Sequence, residues 1–140
     1  MFDAAPVIGI GIIDADRRMP ETHLAWARVG DGKTKAKAKK SAKTLSNYYY
    51  TIWQAPSPDW DVRKVRPGKE SDVTVDAKIS NKILTKKIME RSRMEQMEIA
   101  RMACPAYTDE IWGKIGKKQT VAIMLSGTAG HIINALCKRP

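Results

Sequence analysis

The chain is poor in the residues on which metal centres and nucleophilic enzymes depend. Its 140 residues include two cysteines, Cys104 and Cys137, and two histidines, His23 and His131. No Cys-x-x-Cys pair occurs, which argues against a zinc site of the usual spacing. The simplest expectation for such sparse, distant cysteines is reduced, structural thiols in an intracellular protein, with no spacing that calls for a disulfide. Phosphate-binding loops are missing too. "GDGKTK" at 30–35 lacks Walker glycine spacing, and "GIGIID" at 9–14 is no dinucleotide fingerprint. No secretory leader is expected, because "AAPVIGIGII" has no positive residues before it and runs into "DADRR". The longest charge-free apolar stretch, "TVAIMLSGTAGHIINALC", is interrupted by Ser126, Gly127, Thr128, Gly130 and His131. It reads as two buried helical pieces rather than a membrane span.

Acid is what the first third lacks most. From Lys33 to Lys43 there are six lysines and no Asp or Glu. Over the whole chain, 25 Lys and Arg oppose 15 Asp and Glu, a formal charge of +10. Such a surplus attracts phosphates and other polyanions over a range set by salt. It points first to nucleic acid, then to an anionic membrane surface or an acidic protein.

Element by element, "PVIGIGIIDAD" and "HLAWARVG" alternate as two strands of an antiparallel pair would. The lysine tract at 33–43 is compatible with an extended arm, an edge strand or a helix formed on contact. "SNYYYTIWQ" has strong strand propensity. "DVRKVRPGKESDVTVDAKIS" reads as a hairpin turning at Pro67–Glu70. From Asn81 a long helix is expected, capped by Ser80 or Asn81 and stopped by Pro105. Its apolar residues form two strips, one with Leu84, Ile88, Ile99 and Met102, the other with Ile83, Met94 and Met97. Short helices are expected over "TDEIWGKIG", "KKQTVAIMLSG" and "TAGHIINALCKRP". The resulting fold class is α+β: a single basic domain over 1–140, with an antiparallel sheet in the N-terminal part packed against a long helix and short C-terminal helices. Two apolar strips and edge strands favour a homo-oligomer.

The functional expectation is a non-enzymatic nucleic-acid-binding protein. Lys33, Lys35, Lys37, Lys39, Lys40 and Lys43 would hold phosphates, and Arg63, Lys64, Arg66 and Lys69 would extend the footprint. Tyr48 and Tyr50, sharing one face of a strand, would stack on bases. A self-assembling subunit, such as a viral coat protein with a genome-facing basic arm, is one form of this, and places the protein in the virion rather than the cytoplasm. The alternative is a metal-dependent nuclease using Asp14 and Asp16. Asp-x-Asp beside a turn is commonly just a turn, and Glu21, Asp72 and Asp76 fall in no recognised motif with it. A helix-turn-helix over 110–127 fits poorly, since Trp112 and Lys117 stand where small and apolar residues are needed. No cofactor, metal or small-molecule substrate is implied.

Overall fold

A computed structural model describes residues 21–68 and 72–140, and of residues 21–34 the backbone alone. Lys35–Pro140 forms one compact unit. The α+β class holds. Helix α1 covers Glu21–Thr51, and strands β1 and β2 cover Trp60–Pro67 and Val73–Ile79. Helices α2 (Lys82–Met89) and α3 (Arg93–Ala100) follow, with 3₁₀ turns at Arg101–Ala103 and Glu110–Gly113. Strands β3 (Val121–Gly127) and β4 (Gly130–Leu136) close the chain. The sheet order is β1-β2-β3-β4, with β1–β2 and β3–β4 antiparallel and β2–β3 parallel. Among the described residues no helix is long and apolar enough to cross a membrane.

One hairpin is where the alternation placed it. Val73, Val75, Ala77 and Ile79 are buried while Thr74, Asp76 and Lys78 between them are partly exposed. That period of two is the mark of a sheet with one covered face. β1 pairs along β2 from Trp60↔Ile79 to Pro67↔Val73. The pairing skips a residue between Val62 and Lys64, leaving Arg63 as the extra residue of a bulge.

Several expected elements are corrected. His23–Val29 and Ser46–Thr51 belong to α1, not to strands. The basic tract, for which arm, edge strand and helix were all open, is helix. The cause is a buried stripe of period 3.6: Ala38, Ser41, Ala42, Leu45, Tyr48 and Tyr49 all face inward. Burial of that stripe outweighs the strand preference of the tyrosines. The expected long helix after Asn81 is two helices. Asn81 does cap the first, its Oδ1 accepting from Leu84 N at 2.9 Å. Ser92 and Glu95 then form a capping box that starts α3 afresh. Ser92 also holds the Glu95 carboxyl below its ordinary pKa, by hydrogen bonds from its backbone N–H and hydroxyl.

Where helices were expected over 117–127 and 128–140, the chain forms the β3–β4 hairpin. Val121, Ile123, Leu125 and Gly127 are buried in alternation with Ala122, Met124 and Ser126. Gly130 has φ of 114°, where a side chain would strain the turn. With a strand at 121–127, no helix-turn-helix exists there. The expected strand over Pro6–Asp16 lies outside the described residues.

Three polar links fix the described half of α1 to the 103–119 segment. Tyr49 Oη donates to Ala103 O at 2.6 Å, Tyr48 Oη donates to Asp109 Oδ2 at 2.9 Å, and Ser41 Oγ donates to Gln119 Oε1. Between them Leu45 is fully buried, which places the cost of Leu45→Ala at about 2–5 kcal/mol. Cys104 and Cys137 are joined in a disulfide, not free as expected, with Cα atoms 5.7 Å apart.

Candidate nucleic-acid interface

The buried stripe of α1 decides what its other side can do. Lys35, Lys37, Lys39, Lys40 and Lys43 are all exposed. Lys35, Lys39 and Lys43 follow one another at four-residue intervals, so they lie in one row. The row continues through Asn47 to Tyr50, whose side chain is 91% exposed. Like charges at this spacing repel by a few tenths of a kcal/mol per pair, so an approaching polyanion relieves the helix's own strain. The side chain of Lys33 and the whole of Lys69 lie outside the described residues.

Tyr48 is corrected. It is 5% exposed, and its ring packs edge-on against Tyr49 with centroids 5.1 Å apart. Burial, then the hydrogen bond and charge of Asp109, push its phenol pKa up. Its ring face is unavailable for stacking. In a helix, residues two apart point to nearly opposite sides, so Tyr48 and Tyr50 cannot share a surface.

β1 supplies the second group of cations. It is an edge strand, with Arg63 and Lys64 exposed. The bulge at Arg63 re-aims that side chain, and Arg63 Nε meets Asp61 Oδ2 at 2.8 Å with both groups in solvent. Arg66 is already engaged. Its Nε and Nη2 donate to the two oxygens of Asp76 at 3.0 and 3.1 Å, which raises the guanidinium pKa. A fork filled by its own carboxylate has little left for a phosphate.

Two hollows run between α1 and β1. One, of about 540 Å³, is lined by Lys39, Lys43, Asn47 and Tyr50 on the helix and by Val65 and Pro67 on the strand. The other, of about 410 Å³, is lined by Tyr49, Tyr50, Trp53, Trp60, Arg63 and Lys64. Ser46, Tyr50 and Val65 line both, so Tyr50 stands where they join. Sequence reasoning missed Trp60 and Asn47. Trp53 was legible as an aromatic beside the basic tract, but its meeting with Trp60 depends on α1 lying along β1.

Asp14 and Asp16, the residues of the nuclease alternative, lie outside the described residues. Asp72 accepts from Thr120 Oγ1 at 2.6 Å, and Asp76 is held by Arg66. Among the described residues no three metal-ligating side chains gather. No protein-family model, no curated protein and no solved structure matches this chain.

Proposed function

We propose that this protein binds nucleic acid through α1 and the adjoining edge of β1, without itself catalysing a reaction. The observation that carries the reading is the row Lys35, Lys39, Lys43 and Tyr50 on the solvent side of a helix whose other side is anchored in the core. Lysines neutralise phosphates and release counterions, while an exposed tyrosine face accepts a base. A rigid helix presents both without further ordering cost, unlike a flexible arm. Lys37 and Lys40 flank the row, and Arg63 and Lys64 extend it across the groove. A homo-oligomeric, coat-like assembly remains a form of the same proposal. The Cys104–Cys137 bridge favours a virion over the reducing cytoplasm, because such bonds persist on particle surfaces and outside the cytosol.

The test is the salt dependence of affinity for a labelled oligonucleotide, with Lys35, Lys37, Lys39, Lys40 and Lys43 all changed to Gln. The five residues are exposed and Gln has similar helix propensity, so the fold should survive. The slope of log K against log salt should fall in magnitude by up to about 3.5 on a single strand. Binding that ignores salt and survives the five substitutions refutes the reading and points to a protein partner.

A further inference from the structure

The groove between α1 and β1 is too small for a duplex, and its lining matches an unpaired strand. We infer that its ligand is single-stranded nucleic acid, with bases lying on Tyr50 in the two hollows and phosphates held by Lys39, Lys43, Arg63 and Lys64. This rests on the nucleic-acid reading above and goes further by naming the strand state and the base-contacting residue.

Size is the first argument. Hollows of about 540 and 410 Å³ have the volume of small-ligand pockets. A base and its sugar fit that scale. A duplex keeps its bases stacked inside and offers only their edges along its grooves, so no base face could lie on Tyr50, the exposed ring that lines both hollows. The second argument is the arrangement of charge and apolar surface. Cations stand on both rims, Lys39 and Lys43 on the helix and Arg63 and Lys64 on the strand, Arg63 paired through its Nε with Asp61, while mainly aromatic and aliphatic side chains, with Ser46, line the space between. Charge at the rims and flat rings within is the pattern that follows a backbone while taking up unstacked bases. A duplex-binding helix would want its cations without that apolar trough. The third argument is Tyr50 itself. A tyrosine that is 91% exposed contributes little to the fold, yet it stands at the junction of both hollows. There its two faces can serve successive bases.

The experiment compares fluorescence anisotropy of a labelled oligothymidylate, an oligouridylate and a duplex of equal length, for the native protein, Tyr50→Ala and Tyr50→Phe. The native protein should prefer either single strand to the duplex. Tyr50→Ala should weaken single-strand binding about 5- to 150-fold, with duplex binding unchanged. Tyr50→Phe should restore it, since a phenyl ring stacks as a phenol does. Equal or stronger duplex binding, with single-strand affinity indifferent to Tyr50→Ala, overturns this inference while leaving the broader reading standing. No binding to any of the three overturns both.

Discussion

Reducing the Cys104–Cys137 bridge should cost this protein a large part of its stability while leaving its groove intact. The bond closes a loop spanning 33 positions. In the chain-entropy account a loop of that length removes −2.1 − 1.5R ln n from the unfolded state, or about 3.7 kcal/mol at 25 °C. Other ties would limit the damage in the folded state. Arg101 Nε donates to Leu136 O at 3.0 Å, Cys137 N donates to Val121 O at 2.8 Å, and Ala122 pairs with Leu136 along the ladder. The end of β4 therefore has partners besides the sulfur, and the loss should be borne by the unfolded ensemble. For a domain with roughly 5–15 kcal/mol in total, that is a quarter or more. The assay is urea unfolding followed by tryptophan fluorescence, for oxidised native protein and for Cys104→Ser/Cys137→Ser. The midpoint should drop substantially, and the denaturant slope should rise as the unfolded chain loses its tether. Because β4 and β1 are opposite edges of the sheet, oligonucleotide affinity of the folded variant should be unchanged. An unchanged midpoint, or two titratable thiols in unreduced denatured protein, would refute the bridge and its role together.

Alkali should unfold the protein through its buried phenols. Burial first, and then the charges of Tyr48 and Asp109, push the Tyr49 pKa above its ordinary value. The unfolded chain ionises near pH 10 while the native ring keeps its proton, so the unfolded state binds fewer protons and stability falls as pH rises past about 10. The slope approaches about 1.4 kcal/mol per pH unit from this ring. Unfolding midpoints measured up to about pH 11 should show it, and Tyr49→Phe should flatten it; a midpoint constant to that pH speaks against burial. Arg139 is a C-terminal latch. It donates to Gly116 O at 2.8 Å and to Gln119 O, and its guanidinium lies 5.4 Å from the Trp112 ring centroid. Arg139→Ala should cost about 1–3 kcal/mol in thermal or urea unfolding, and Lys should recover only part, lacking the planar fork. Gly127→Ala would set a methyl 2.5 Å from Thr85 Cγ2 and 2.6 Å from its Oγ1. It should cost about 1–3 kcal/mol through overpacking, and less in a Thr85→Ala background, a coupling that a double-mutant cycle reads directly.

How much of this was legible from the amino acids depends on the company each apolar residue keeps. Along β2 the buried Val73, Val75, Ala77 and Ile79 alternate with Thr, Asp and Lys, so hydropathy alone reveals the strand. Along β3 the alternating partners are Ala122, Met124 and Ser126, themselves apolar or small. The alternation is then nearly invisible, and a continuous apolar run reads as buried helix equally well. The Ser92–Glu95 box that divides α2 from α3 was present as Ser-x-x-Glu, but the helix formers on both sides mask it. In α1 the spacing of Ala38, Ala42, Leu45 and Tyr49 is helical, while the alternating Lys35, Lys37 and Lys39 imitate a strand. Burial decides between the two patterns, and lysines, exposed in either, do not report the element type.

The same distinction separates the parts of the candidate interface that were foreseeable from those that were not. Charged side chains seek water in any regular structure, so Lys35 to Lys43 come out exposed whether the tract is arm, strand or helix. Aromatic placement has no such protection. In a strand Tyr48 and Tyr50 share a face; in a helix they diverge, and one becomes core while the other stands 91% exposed. A single error in element type therefore leaves the phosphate-binding proposal untouched and reassigns the stacking residue. Trp53 and Trp60 lie one step further from the sequence. They enter only when the end of α1 and the edge of β1 form two sides of one groove, an outcome of long-range packing that neither segment encodes alone. The proposal for single strands consequently rests on Tyr50 and the lining of that groove, whereas the proposal for nucleic acid as such rests on the lysine row, and the two can fail separately.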